Sequence, residues 1–313
     1  MFEILNLEPW RYSKRAKFAL KKIGRYTELK NDKEIKYLNK EKFHILVLRF
    51  GYEINKKFLE KFKNLKFILC NATNCVHIDQ NECKIRKIKI INLKNEKKFL
   101  AKITSTAELI IGLIISLYRH IPNSFFSVKK NKWNRNIFVG RVLYKKKIGI
   151  VGMGRVGKLV AHYAKNFSMD ILYYDKNSVQ LNFFATRFKN LKKLLNICDI
   201  VVLSLDLNKD TYKIFDYRYF KSMKKDSIFI NASRGEIICE NGLLRALKKK
   251  IISGAAIDVL TNENNLNFKK NKLLNYLTKN ENLIITPHIG GATFETWKLT
   301  EEFIVKKFLK YIK

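Results

Sequence analysis

Residues 148–160 read IGIVGMGRVGKLV, an apolar run leading into Gly152-x-Gly154-x-x-Gly157 and then into a helical pattern. In that context each glycine has a task. Gly152 permits a tight turn, Gly154 lets a pyrophosphate approach the backbone, and Gly157 lets the helix pack closely on the strand, while the helix amino terminus offers N–H groups to the phosphates. The next apolar run, ILYYD, ends at Asp175, placed to accept hydrogen bonds from adenosine ribose hydroxyls. A carboxylate there repels a 2′-phosphate, so NAD is expected rather than NADP, a preference that Lys176 softens without reversing. Three more polar segments follow apolar runs and carry Arg234, Glu263 and His288. An arginine, an acid and a histidine converging beside a nicotinamide make a complete set for hydride transfer at a 2-hydroxy acid. The arginine pairs with carboxylate and carbonyl, the histidine moves the hydroxyl proton, and the acid holds the imidazole. Pro287 before His288, with Gly290 and Gly291 after it, makes a rigid turn suited to holding one ring.

The elements that must position these residues alternate. Short apolar runs at 45–48, 67–70, 88–91, 147–151, 171–174, 200–205, 228–230, 255–259 and 283–286 read as buried parallel strands. Stretches at 54–63, 155–167, 188–196, 217–223 and 240–249 carry apolar residues three and four apart and read as helices. Strict alternation predicts an α/β fold with a doubly wound parallel sheet and binding sites at the carboxyl ends of its strands. With 47% hydrophobic residues the chain has a large core to bury, and its length favours two domains. The longest apolar stretch, Leu109 to Tyr118, is about half of the roughly 20 residues a membrane crossing needs. A cytoplasmic protein without a membrane partner is expected. Five scattered cysteines argue against a disulfide framework, and Cys70, Cys75 and His77 lack a second ligand pair, so no metal is expected.

At these residues the chain resembles the D-isomer-specific 2-hydroxyacid dehydrogenases, most closely the branch containing D-3-phosphoglycerate dehydrogenase. Besides the motifs above, TSTAELIIGL (104–113), NKWNR (131–135), GRVLYKKKIGIVGMGRVG (140–157) and MKKDSIFINASRGEIICENGLLRAL (223–247) carry the similarity, which covers nearly the whole chain. The resemblance implies an NAD-dependent oxidoreductase interconverting a D-2-hydroxy acid and its 2-keto acid. Arg234, Glu263 and His288 would be its catalytic residues. Gly152, Gly154, Arg155, Val156, Gly157, Asp175, Ala232, Ser233, Arg234, Asp258, His288 and Gly291 would meet the cofactor, Asp258 at or near its carboxamide. Residues 99–291 would form the NAD-binding Rossmann domain. Residues 1–98, with 292–313 returning to them, would form a smaller flavodoxin-like substrate-binding (catalytic) domain. Arg49 and Asn74, in loops similar to the family's RSxT-like and ATG-like loops, would join Arg234 at the substrate carboxylate or phosphate. A homodimer formed through the region after residue 99 is also implied.

The departures bear on the substrate. Phe50 and Tyr52 stand where the RSxT-like loop has Ser and Thr, Asn74 replaces a Gly, and Ser204 and Asp206 replace a His and a Pro beside the cofactor. The net charge of +36, from 63 Lys and Arg against 27 Asp and Glu, raises a second reading: an NAD-sensing, non-catalytic, corepressor-like protein whose basic surface contacts nucleic acid. Lysines spread through every segment rather than one face, and a full catalytic set exceeds what a sensor needs. Nucleic acid is therefore not expected as a partner.

Overall fold

A computed structural model describes residues 1–31 and 33–313, with the side chain of Asn264 outside the described set. The chain divides into two compact units, one of residues 1–103 and 292–313, the other of residues 104–291. The first unit extends to Ile103 rather than to residue 98, because Phe99 stacks on Phe303 with ring centroids 3.9 Å apart.

The first unit is a five-stranded parallel sheet of β1 (Phe2–Asn6), β2 (Gly24–Glu28), β3 (Ile45–Leu48), β4 (Phe67–Cys70) and β5 (Lys89–Ile91), in the order β2-β1-β3-β4-β5. This is the flavodoxin-like order, with its switch point between β1 and β3. Side chains alternate between two cores: Leu46, Leu48, Ile68 and Cys70 face one way, Ile45, Val47 and Leu69 the other. The helix Phe294–Tyr311 covers the second face with Ile304, Val305 and Phe308. Hydrophobic runs do not reveal β1 and β2. β1 is short and terminal, and β2 (GRYTE) is a polar edge strand whose Gly24 passes so close to β1 that a Cβ would lie 2.0 Å from the Phe2 carbonyl.

The second unit is a seven-stranded parallel sheet of β6 (Lys147–Val151), β7 (Asp170–Tyr174), β8 (Thr186–Arg187), β9 (Ile200–Leu203), β10 (Ile228–Asn231), β11 (Gly254–Ile257) and β12 (Leu283–Ile285), in the order β12-β11-β10-β9-β6-β7-β8. The chain moves outward from β6 through β7 to β8, then reverses across β6 to β9. That reversal is the switch point of a Rossmann sheet. Both faces are buried, Val151, Val201 and Leu203 in one core and Ile148, Ile150, Ile200 and Val202 in the other, which explains the unbroken apolar runs in the sequence. The helix Ser105–Tyr118 buries Ala107, Ile110, Ile111, Leu113, Ile114 and Tyr118 in the second core. At about 1.5 Å per residue its 14 residues span roughly 21 Å, short of a bilayer's hydrocarbon core.

Where the first unit buries charge, it pairs it. Arg49 donates from Nε and Nη2 to Glu301 Oε1 at 2.9 and 2.6 Å, and the two side chains are only 8% and 1% exposed. Truncating one partner strands the other without water or a counter-charge. Arg49→Ala is therefore expected to cost about 3–5 kcal/mol of stability, read as a lowered denaturant midpoint by the fluorescence of Trp10 and Trp297. An unmoved midpoint would show that the pair contributes nothing.

Candidate active site

The register of the second sheet brings its loops to one edge. Val151 pairs with Leu203, Leu203 with Asn231, Asn231 with Ile257, and Ile257 with Ile285, so β6, β9, β10, β11 and β12 end level with one another. Gly152 therefore leaves the sheet on the same edge as the segments carrying Arg234, Asp258 and His288.

The glycines of the first turn divide their work. Gly152 has φ +96°, and a Cβ there would lie 2.3 Å from the Ser204 carbonyl. A Cβ on Gly157 would lie 2.2 Å from the Gly152 carbonyl, so this glycine lets the helix Arg155–Asn166 sit directly on the turn, with Val160, Ala161 and Ala164 buried beyond it. At Gly154 a Cβ would meet nothing within 4 Å. Packing explains two glycines, and the third keeps space open in front of a helix amino terminus, which fits a dinucleotide pyrophosphate. Arg155 and Val156, the first helical residues, flank that space. Burial lowers the Arg155 pKa and the charge of Asp206 opposes that shift, so the acid that replaces proline acts on the arginine of the fingerprint.

Asp175 lies at the end of β7, as expected, and has a second task that spacing does not reveal. Its Oδ2 accepts from the Met153 N–H at 2.8 Å and its Oδ1 from the Asn177 N–H at 3.0 Å, tying the end of β7 to the glycine turn.

The Arg234 loop is wound around Asn231, a fully buried residue that sequence reasoning passed over. Its Oδ1 accepts from Ser233 N–H (3.0 Å) and its Nδ2 donates to the Arg234 carbonyl (3.1 Å), while Ser233 Oγ donates to the Leu203 carbonyl (2.8 Å). Ala232 is half-buried against the sheet core. A Cβ on Gly235 would lie 2.1 Å from the carbonyl carbon of Leu260, so the loop bearing Arg234 packs against the backbone leading to Glu263. Glu240, also unforeseen, accepts from the Thr261 N–H at 2.7 Å and secures the same backbone.

His288 and Glu263 meet directly, imidazole Nδ1 to carboxylate Oε1, with side chains 27% and 33% exposed. His288 has φ +52°, and its N–H donates to the Asp258 carbonyl at 2.8 Å. Asp258, expected at or near the carboxamide, follows β11. It is 1% exposed, and its carboxylate accepts from Thr286 Oγ1 (2.5 Å), Ile289 N–H (2.9 Å) and Gly290 N–H (2.8 Å), so both oxygens are spent on the loop that carries His288. Burial pushes its pKa up, and the three donors act against that shift. Gly290 sits against this carboxylate, where a Cβ would be 3.0 Å from Oδ2, whereas Gly291 faces open space.

The first unit places the remaining candidates. Asn74 is half-buried in the loop after β4. Arg49, expected to face the substrate, is instead 7% exposed and held by Glu301, by the Glu8 carbonyl (3.0 Å) and by the Trp10 carbonyl (3.1 Å). Cys70 Sγ lies 3.7 Å from His77 Nε2, but among the described residues no group of three or more His, Cys, Asp or Glu has the arrangement to hold a metal ion.

Comparison with known proteins gives the chain a family. A family model for the D-isomer specific 2-hydroxyacid dehydrogenase, NAD binding domain, matches residues 111–290. The glyoxylate reductase of Pyrococcus horikoshii is 32% identical over 301 residues, a match spanning 93% of this chain and 84% of that one. The D-3-phosphoglycerate dehydrogenase of Haemophilus influenzae is 30% identical over 291 residues, spanning 92% of this chain and 68% of its own length. The crystal structure of D-lactate dehydrogenase from Aquifex aeolicus, complexed with NAD and lactic acid, shares the fold with a TM-score of 0.79 at 23% identity, over 99% of this chain and 95% of that one.

The glycine geometry separates cofactor binding from folding. Gly154→Ala is expected to leave the melting temperature nearly unchanged while weakening NADH binding about tenfold, roughly 1.4 kcal/mol, by fluorescence titration. Gly152→Ala forces a side chain into a left-handed turn and against a carbonyl, and should cost at least about 1–3 kcal/mol of stability. Equal effects of the two would refute the assignment.

Proposed function

Because this chain belongs to the D-isomer specific 2-hydroxyacid dehydrogenases, we propose that it interconverts a D-2-hydroxy acid and its 2-keto acid, with NAD as the redox partner. The observation that carries the mechanism is the His288–Glu263 pair at the sheet edge that also bears Arg234 and the glycine turn. When bound, NADH supplies the hydride that reduces the keto carbon. Arg234 holds the substrate carboxylate and polarises the carbonyl with its guanidinium. His288, held through Nδ1 by Glu263, gives a proton from Nε2 to the carbonyl oxygen as the hydride reaches carbon, and takes it back in the oxidative direction. Glu263 keeps the ring in that orientation and balances the imidazolium charge. Asp258 and Asn231 act behind them, one holding the histidine loop and the other the arginine loop.

The dehydrogenase reading is preferred to a sensor because a histidine braced by a carboxylate, on the edge that also carries Arg234, is more than NAD sensing needs. The named relatives are a reductase and dehydrogenases, and none supports the nucleic-acid-binding alternative. We further read the protein as a cytoplasmic homodimer. Its five cysteines are all free thiols, in keeping with a reducing compartment. The helix Ile121–Lys129 and the segment after it expose Phe125, Phe126, Trp133 and Ile137, an apolar surface suited to a second copy.

The test is NADH oxidation with glyoxylate, hydroxypyruvate, pyruvate and 3-phosphohydroxypyruvate. His288→Ala should lower turnover by roughly two to four orders of magnitude, and undiminished turnover would remove histidine from the mechanism. The positive field of the chain should draw in anionic keto acids and is screened over about 8 Å at physiological salt, so KM should rise with ionic strength. A KM independent of salt would reduce the +36 charge to composition alone.

A further inference from the structure

The switch point of the second sheet lies at β6, whose glycine turn has the loop after β7 on one side and the loop after β9 on the other. Dinucleotides bind across the crevice at such a point. One ion pair joins the two flanking loops. Lys176, the residue directly after Asp175, donates from Nζ to Oδ2 of Asp210 at 3.1 Å. The backbone behind each partner is fixed. Arg187 donates from Nη2 to the carbonyls of Asp175 (3.0 Å) and Lys176 (2.8 Å), which secures the chain from which the lysine extends. On the opposite side Asn208 Oδ1 accepts from the N–H groups of Asp210 (2.9 Å) and Thr211 (3.1 Å), while the buried Thr211 donates from Oγ1 to the Asp206 carbonyl at 2.6 Å. Two built loops therefore hold the lysine and the carboxylate opposite each other, and only the side chains, each 73% exposed, are left to move.

The position gives this pair a chemical consequence. Asp175 stands where an adenosine ribose is expected, and a cation next to such an acid is the group that accommodates a 2′-phosphate. A free Lys176 ammonium would offset the repulsion between that phosphate and the Asp175 carboxylate. With Asp210 attached, the ammonium is already balanced, and an arriving phosphate would add to two carboxylates instead of one. The same loop repeats the arrangement at the glycine turn, where the charge of Asp206 acts on Arg155. In a chain with 63 Lys and Arg against 27 Asp and Glu, one short loop thus sets an acid against each of two cations on this edge.

We propose that Asp210 is a specificity-determining residue for the dinucleotide: by holding Lys176 it withholds a cation from any 2′-phosphate and keeps the site selective for NAD. The inference rests on the reading of the chain as an NAD-dependent dehydrogenase, and it adds a residue in a different loop from Asp175 that decides which dinucleotide is accepted. Asp175 repels the phosphate, and Asp210 removes the lysine that would cancel that repulsion.

The test is titration of the full chain with NADH and with NADPH, followed by nucleotide fluorescence. The proteins are the wild type, Asp210→Ala, Lys176→Ala, the double variant, and Asp170→Ala as a charge control at the opposite end of β7. The wild type should bind NADH more tightly than NADPH. Asp210→Ala should lower Kd for NADPH about fivefold while Kd for NADH stays within about twofold, and the gain should fade as salt rises because the charges are exposed. Lys176→Ala should abolish the gain when combined with Asp210→Ala, since the released ammonium produces it. Asp170→Ala should change neither constant. An NADPH affinity unmoved by Asp210→Ala overturns the proposal. A gain that survives in the double variant also overturns it, because the cause would then be the loss of one negative charge and not the release of the lysine. So does a wild type that binds NADPH the more tightly. Binding of neither dinucleotide by any of the proteins overturns the cofactor reading as well, and is told apart by that uniform silence.

Discussion

The buried carboxylate of Asp258 is the point on which the active edge of the second unit depends. It is 1% exposed and receives Thr286 Oγ1, Ile289 N–H and Gly290 N–H, while its carbonyl receives the N–H of His288 and its own N–H donates to the Asn231 carbonyl. Five hydrogen bonds thus join the ends of β10, β11 and β12 through one residue. A buried charge is costly unless it is fully hydrogen-bonded, and here the bonds that compensate the burial also set the backbone of the loop that carries His288. The left-handed conformation of His288 is affordable only because that frame holds it.

Around this node the site is built by mutual support rather than by isolated side chains. Glu240 fixes the backbone ahead of Glu263, Gly235 packs on that same backbone, and Asn231 winds the loop that presents Arg234. Backbone contacts thus join the loops that carry Arg234, Glu263 and His288, which limits how far any one of them can shift alone. The cofactor side repeats the principle. Asp175, the expected ribose acceptor, is the brace of the glycine turn.

In the first unit the same chemistry is used for closure. Glu8 accepts from the backbone of the loop after β3 and Glu301 pairs with the Arg49 side chain, so the arginine expected at the substrate is held by the protein's own carboxylates. In a chain with only 27 acidic residues, two are engaged at one arginine, Glu301 buried and Glu8 half-buried, which marks the pairing as a feature of this fold and not of surface composition.

The α/β class, the glycine turn and the placing of Arg234, Glu263 and His288 in segments after strand ends were legible in the letters, because these depend on local rules: apolar runs for strands buried on both faces, glycine where backbone must approach backbone, and polar residues where strands end. The same letters do not mark β1, β2 and β8, which are short or polar edge strands with no periodic signal of their own. Only the tertiary structure decided what Arg49, Asp258 and Asn231 do. The partners of the first two lie far along the chain, Glu301 being 252 positions from Arg49 and Gly290 32 positions from Asp258, whereas Asn231 bonds to Ser233 and Arg234 close by in a loop whose shape no local pattern announces. Charge and type can be read from a letter, whereas whether that charge is offered to a ligand or spent inside the protein depends on contacts that exist only once the chain has closed on itself.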